Sequence, residues 1–359
     1  MPARKPKPRL HLREGRAVSP PLGGTAGDGM AGFPPFRPRP PWWGGDLQTL
    51  RNMLVGRHPD LSPYPALDIR LPMRDGSGDV LAAALHAPAP ASQVPASRPL
   101  AVLIHGLTGC QDSLYMLRSA AAFLAAGYPV LRLSLRGAGP SRPLCRFQYH
   151  AGRSDDLRDA LLGLPAELTA NGLMLVGYSL GGNMLLKFLA DYGRDFPVLA
   201  AGSVSAPIDL AESSRRFLDR RNWLYHRWLL ARMKEETLAG PADALTAEER
   251  RRVMQAATVL EFDDMHVAPR NGFAGAADYY AKCSALGFLP AIEVPALLIH
   301  AEDDPWIPSN AYNRALRAGN DRLTCLLAPG GGHVGFHDGT PVAWHDRCLL
   351  QFFEENLSG

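Results

Sequence analysis

Short apolar runs alternating with helical stretches predict an α/β fold, a mainly parallel sheet with helices on both faces and an inserted helical cap. Three observations carry that prediction. From Leu100 onward, runs such as Ala101-Val102-Leu103-Ile104 are continuously apolar, as strands buried on both faces require. Segments with helical spacing separate them. Residues 209–290 then break the rhythm with a helix-rich stretch of charged faces and aromatic residues.

The 359 residues are 46% hydrophobic and 20% charged, the balance of a globular chain rather than a disordered one. No stretch approaches the ~18 apolar residues that span a bilayer. Residues 1–41 carry eight Lys/Arg against Glu14 and Asp28 and hold 10 of the 32 prolines. This is a basic, Pro-rich flexible arm with a local charge of +6, which leaves −3 for the remainder of a chain whose total is +3. It has no apolar core of a secretory signal. Its charge suits weak peripheral contact with an anionic membrane, but the basic excess is confined to the arm, so no nucleic-acid partner is expected.

Elements follow in order. Pro40-Pro41-Trp42-Trp43 and Leu47-Gln48-Thr49-Leu50 read as an ordered lead-in segment with buried tryptophans. Leu67–Met73 and Val80–Ala87 flank Asp75-Gly76-Ser77-Gly78 and read as a β-hairpin, and residues 88–98 as an exposed loop. Leu114–Ala126 is a helix ended by Gly127, Tyr128–Leu135 a strand, and Ser154–Leu164 a helix with Ser154 as cap. Leu173–Gly177 is a strand, Gly181–Tyr192 a helix and Val198–Val204 a strand. After the cap, Ala296–His300 and Leu323–Leu327 are strands and Pro341–Glu355 a helix. The core therefore comprises 42–208 and 291–359. Five cysteines (Cys110, Cys145, Cys283, Cys325, Cys348) are odd in number, widely spaced and without a C-x-x-C pair, which fits reduced thiols in a cytoplasmic protein. No metal signature is present and no metal is assigned.

Gly177-Tyr178-Ser179-Leu180-Gly181 matches G-x-S-x-G between a strand and a helix. A nucleophile on so sharp a turn needs small residues two positions to either side. The serine needs a base, and the base an orienting acid, in the chain order Ser, acid, His. His333, preceded by Gly330-Gly331-Gly332 and followed by Gly335, sits in a predicted flexible loop that lets its ring reach the serine; His337 is the nearby alternative. The acid should leave the strand Ala296–His300. Asp304, followed by Pro305-Trp306-Ile307-Pro308, is preferred over Asp303, which would cap the loop or face solvent. Two backbone amides for an oxyanion hole should come from Leu180 and, in His105-Gly106-Leu107-Thr108-Gly109, from Leu107; His105 braces that loop. Tyr149-His150-Ala151-Gly152 either lines the pocket or is held by a structural bond from His150. Leu135-Arg136-Gly137-Ala138-Gly139 falls short of a full G-x-G-x-x-G, so no nucleotide cofactor is expected.

These stretches resemble the YheT-like branch of the α/β-hydrolase superfamily, related to the ABHD-type esterases and lipases. The resemblance rests on Leu47–Leu50, His105–Gly109, Tyr149–Gly152, Gly177–Asn183, Ser205–Leu210, Phe273–Tyr280, Asp303-Asp304-Pro305 and Gly331–Phe336, spanning about residues 36–355. It implies hydrolysis of a small-molecule carboxylic ester without a cofactor, with Ser179, Asp304 and His333 as triad. Spacings of 125 residues from Ser179 to Asp304 and 29 from Asp304 to His333 leave room for the cap. Departures are Ala138 and Pro140 in a variable loop, and the long arm where eukaryotic relatives carry a membrane anchor. The aromatic cap favours a lipophilic acyl chain. Acyl transfer to another acceptor, amide or lipid cleavage, and a non-catalytic scaffold are the alternatives.

Overall fold

The computed structural model describes residues 32–88 and 98–357. Eight strands form one sheet in the order β1-β2-β4-β3-β5-β6-β7-β8, namely β1 (Ala66–Pro72), β2 (Val80–His86), β3 (Leu100–Ile104), β4 (Val130–Leu133), β5 (Leu173–Tyr178), β6 (Val198–Val204), β7 (Ala296–Ala301) and β8 (Leu323–Ala328). The hairpin β1–β2 pairs antiparallel, with Pro72 opposite Val80, and β2 is antiparallel to β4. All later pairings are parallel. In the hairpin turn Asp75 Oδ1 accepts the Ser77 N–H, the local bond that makes Asp a turn residue.

Alternate strand residues serve two cores. Val102, Ile104, Leu175 and Leu298 point to one, shared with the helices α3 (Ser154–Leu162) and α4 (Leu180–Tyr192). Leu103, Val176, Leu297 and Ile299 point to the other, filled by α2 (Leu114–Ala125) and the C-terminal helix Trp344–Leu357. Every residue of β3, β5 and β7 is buried, which explains why these strands read as unbroken apolar runs. Between β6 and β7 lie Leu210–Phe217, Trp223–Leu238, Ala247–Gln255 and Ala276–Cys283. They have a small core of their own built on Phe217, Leu229, Met233 and Phe262. Among the described residues no helix is long and apolar enough to cross a membrane.

Several expectations need correction. Trp43 is 60% exposed and Trp42 half-buried beneath the Arg51 guanidinium, because the lead-in continues into a surface helix, α1 (Gly45–Leu54), with no apolar stripe to announce it. The strand expected over Tyr128–Leu135 spans Val130–Leu133. At its start, the Tyr128 N–H bonds back to Phe123 O and Gly127, at φ 86°, to Leu124 O, closing α2. At its end, the Leu135 N–H is taken by the His105 ring. Ser154 does not cap α3; Arg153 stands at that position and the Ser154 hydroxyl donates to Asp191. The helix Asn310–Ala318 was not anticipated. Of the basic arm, residues 1–31 lie outside the described residues, as do 89–97 of the expected loop. Phe36, within the arm's expected span, is already buried against Phe336 and Trp344.

One buried ion cluster ties the hairpin to the core. Arg136, 1% exposed, donates to both oxygens of Asp156 at 2.9 and 2.7 Å and to Asp79 at 2.9 Å. Removing one partner strands the others in low dielectric. Arg136→Ala should therefore destabilise the fold by about 3–5 kcal/mol, read as a shift of the urea midpoint at unchanged slope. A loss below about 1 kcal/mol would show that water reaches Asp79 and Asp156.

Candidate active site

Parallel strands deliver loops to the carboxyl edge of the sheet, and adjacent strands whose connections leave in opposite directions open a crevice there. β3 lies between β4 and β5, so the turn after β3 and the turn after β5 face one another. Ser179 stands between β5 and α4, at the helix N-cap, with φ 51° and ψ −124°, a conformation L-residues rarely adopt. The flanking glycines are required by close approach. A Cβ on Gly181 would stand 2.3 Å from His105 O, and one on Gly177 2.5 Å from Gly181 O.

From β7 comes Asp304 and from β8 the turn carrying His333. His333 Nε2 lies 2.9 Å from Ser179 Oγ, and Nδ1 2.9 Å from Asp304 Oδ2. Asp304 Oδ1 accepts the Trp306 and Ile307 amides at 2.8 and 3.0 Å. Burial would raise this carboxyl, but the His333 ring and the Trp306 amide hold it below the ordinary range. It is an ionised acceptor fixed by three donors. Trp306 leans on the imidazole with ring centres 4.4 Å apart.

The turn around His333 is pinned rather than flexible. The Gly332 N–H donates to Asp303 Oδ1, His333 N–H to Thr49 Oγ1, Val334 N–H to Ser205 Oγ and Phe336 N–H to Gly331 O. Gly332, at φ 59°, packs so tightly that a Cβ would stand 2.3 Å from Gly45 O. Asp303 is thus a clamp on the glycine turn, with its carboxyl pushed up by burial. His337 is turned away from the serine: its N–H donates to Gln48 Oε1 and its Nδ1 accepts from Arg51 at 3.2 Å. His300 stacks on Tyr312 at 4.2 Å, and His226 accepts the Val259 amide within the cap.

The loop after β3 is held from two sides. Its Gly106 amide donates to Tyr115 Oη at 2.8 Å and its Thr108 amide to Tyr149 Oη at 2.7 Å. Between them the Leu107 N–H has no protein acceptor among the described residues; neither has the Leu180 N–H at the first turn of α4. His105 braces the loop as expected. Its Nδ1 lies 2.7 Å from Gly106 O and its Nε2 accepts the Leu135 amide, and burial lowers its pKa to about 4. Both readings of Tyr149-His150-Ala151-Gly152 hold, since His150 accepts the Gly152 amide and Tyr149 and His150 also line the cavity.

Among the supporting groups, Asn183 and Tyr149 lie in stretches that the family resemblance picks out, whereas Glu236 has no pattern that singles it out. Asn183, fully buried, donates to Ala151 O and Cys283 O and accepts from the Ala285 amide, tying α4 to the end of the cap. The Tyr149 hydroxyl also reaches Glu236 of the cap helix Trp223–Leu238 at 3.1 Å. Burial raises the Glu236 carboxyl to about 7. Tyr149→Phe frees the Thr108 amide and slackens the Leu107 turn. Steady-state kinetics on a short ester should show kcat down about tenfold with KM little changed, one hydrogen bond's worth. An unchanged kcat would mean Tyr115 alone fixes the loop.

Above Ser179 the sheet edge, α1 and the cap enclose a cavity of about 320 Å³, walled by apolar groups including Phe217, Leu229, Met233, Val259 and Phe262.

Comparison with known proteins places this arrangement in company. The profile of the alpha/beta hydrolase fold matches residues 99–340. The chain is 34% identical over 304 residues to YheT of Escherichia coli (strain K12), which carries an esterase name, covering 83% of this chain and 86% of that one. It is 26% identical to phospholipase ABHD3 of Mus musculus, covering 72% and 64%. It is also 26% identical to a monoacylglycerol lipase of Saccharomyces cerevisiae, covering 72% and 59%. Among solved structures, the Pyrococcus furiosus esterase Pf2001 superposes with a TM-score of 0.56 at 16% identity, over 84% of this chain and 95% of that one.

Proposed function

We propose, from the premise that this chain belongs to the α/β-hydrolase fold family in its YheT-like branch, that it cleaves lipophilic acyl esters through a Ser179-His333-Asp304 triad. That it is a carboxylic-ester hydrolase of the esterase/lipase type follows from its relatives; the triad and the acyl preference are our reading. The observation that carries it is the pair of 2.9 Å contacts linking Ser179 Oγ, the His333 ring and Asp304.

Ser179 Oγ attacks the ester carbonyl as His333 Nε2 takes its proton, and Asp304 holds the Nδ1–H and steadies the imidazolium. The Leu107 and Leu180 amides receive the oxyanion; such a donor is worth about 3–4 kcal/mol in the transition state. Collapse breaks the C–O bond, and His333 returns the proton to the departing alcohol. Water then attacks the acyl-enzyme with its proton passing to His333, and the acid leaves with Ser179 restored. The apolar cavity wall supports an acyl chain over a charged substituent. A fluorophosphonate probe tests the reading. Its mass should appear on the peptide containing Ser179 and nowhere else, and an unlabelled folded protein would rule out an activated serine.

A further inference from the structure

The cavity wall is not apolar throughout. Where the cap passes along it, residues Asp263–Val267 form a π-helical turn. Such turns are rare, re-aim side chains and are frequent at functional sites. Asp263 and His266 both line the cavity. Asp263, 9% exposed, receives one hydrogen bond, from the Tyr280 hydroxyl to Oδ2 at 2.6 Å, and no cation pairs with it among the described residues. Its Oδ1 has no protein partner among the described residues, although a carboxyl group accepts at both oxygens. His266, 4% exposed, has a fully buried Nδ1 with no partner. Buried polar groups left unpaired are costly and rare in native proteins. Here one such nitrogen, on His266, stands on the same turn as an Asp263 oxygen without a protein partner among the described residues, and both residues line the cavity in which substrate must sit.

We infer that Asp263 and His266 form a subsite for a hydroxyl group carried by the ester, away from the bond that is cut. The inference rests on the hydrolase reading above and sharpens its substrate class. A hydroxyl both donates and accepts, so it suits a carboxyl group whichever way its proton lies and an imidazole in either tautomer. Burial raises the Asp263 carboxyl to about 7 and lowers His266 to about 4, so neither offers a firm charge near neutral pH. An ammonium group would need a firm anion, which Asp263 does not supply, and a substrate carboxylate a free cation, which Arg270, already paired with Glu249, does not supply.

The hydroxyl can lie on the acyl chain or on the alcohol, and two arms of one experiment separate these. The first compares p-nitrophenyl esters of one chain length with and without a mid-chain hydroxyl. The second compares monoesters of a diol with those of the matching simple alcohol. The wild-type protein should favour the hydroxylated member of at least one pair by about tenfold in kcat/KM, about the 1.4 kcal/mol of one good hydrogen bond. Asp263→Leu, in which Tyr280 keeps Ser214 as a neighbour at 3.1 Å, should bring that ratio close to one, and so should His266→Phe. Because the readout is a ratio within each variant, partial loss of folded protein does not alter it. Equal rates within both pairs, a preference for an ammonium-bearing ester, or a ratio that survives both substitutions would overturn the subsite. No turnover of any ester by the wild type would strike the hydrolase reading itself.

Discussion

Ser179→Ala lowers kcat on a short p-nitrophenyl ester by about 10⁵-fold or more, since losing the nucleophile of such a triad costs about as much as losing all of it. The substitution removes one oxygen and leaves the strained turn, so the fold should survive and the melting temperature stay close to wild type. The residue would still present the Leu107 and Leu180 amides, and a background of about 10³-fold over water is expected from them. Stopped turnover together with lost fluorophosphonate labelling identifies Ser179 as the nucleophile. Activity within tenfold of wild type would mean that the hydroxyl is a bystander and the proposed mechanism is wrong.

The second large effect separates two neighbouring carboxyls. Asp304→Asn preserves shape but points an amide N–H, or a weaker acceptor, at His333 Nδ1. The ring then settles with its proton on Nε2, where it can no longer accept from Ser179, and kcat should fall by about 10⁴-fold. Asp303→Asn leaves the relay untouched and keeps an oxygen for the Gly332 amide, so its cost should stay below about tenfold, one weakened hydrogen bond. Equal losses in both variants would show that the glycine turn, not the Asp304 charge, limits the reaction. The direction of the Asp304 shift adds a sign. Its folded carboxyl sits below its ordinary value of 3.8, so its pairing contributes stability above that pH and loses it as acid protonates the group.

What was legible in the sequence follows from what each signal encodes. The strands β3, β5 and β7 stood out because burial on both faces leaves His300 as the one charged-type side chain among them. The serine, the acid and the histidine stood out because a strand-to-helix turn, an aspartate ahead of a proline-rich turn and a glycine run each constrain residue type locally. α1 did not, since Leu47, Met53 and Leu54 are exposed and no apolar stripe marks its inner face, which holds the polar Gln48. The roles of Asp263, His266 and Glu236 were invisible for another reason. Their significance depends on what lies across a space, which only the assembled cap defines. The glycines before His333 suggest freedom of movement in the sequence, but the turn they form is fixed. In the fold they are the residues that let four backbone amides be gripped at once.

The helix Gly45–Leu54 bears on how much chain this chemistry needs. Gln48 bonds to the backbone of His337 in both directions, and Thr49 takes the amide of His333. The span recognisable as a hydrolase begins at residue 99, yet the imidazole is set in place by side chains about fifty residues upstream of that point. A fragment trimmed to the recognisable span would keep Ser179, Asp304 and His333, the proposed triad, and lose the contacts that hold the His333 turn. The smallest working unit must therefore reach back past Gly45 to Phe36, whose ring is buried against Phe336 and Trp344 beside the histidine turn.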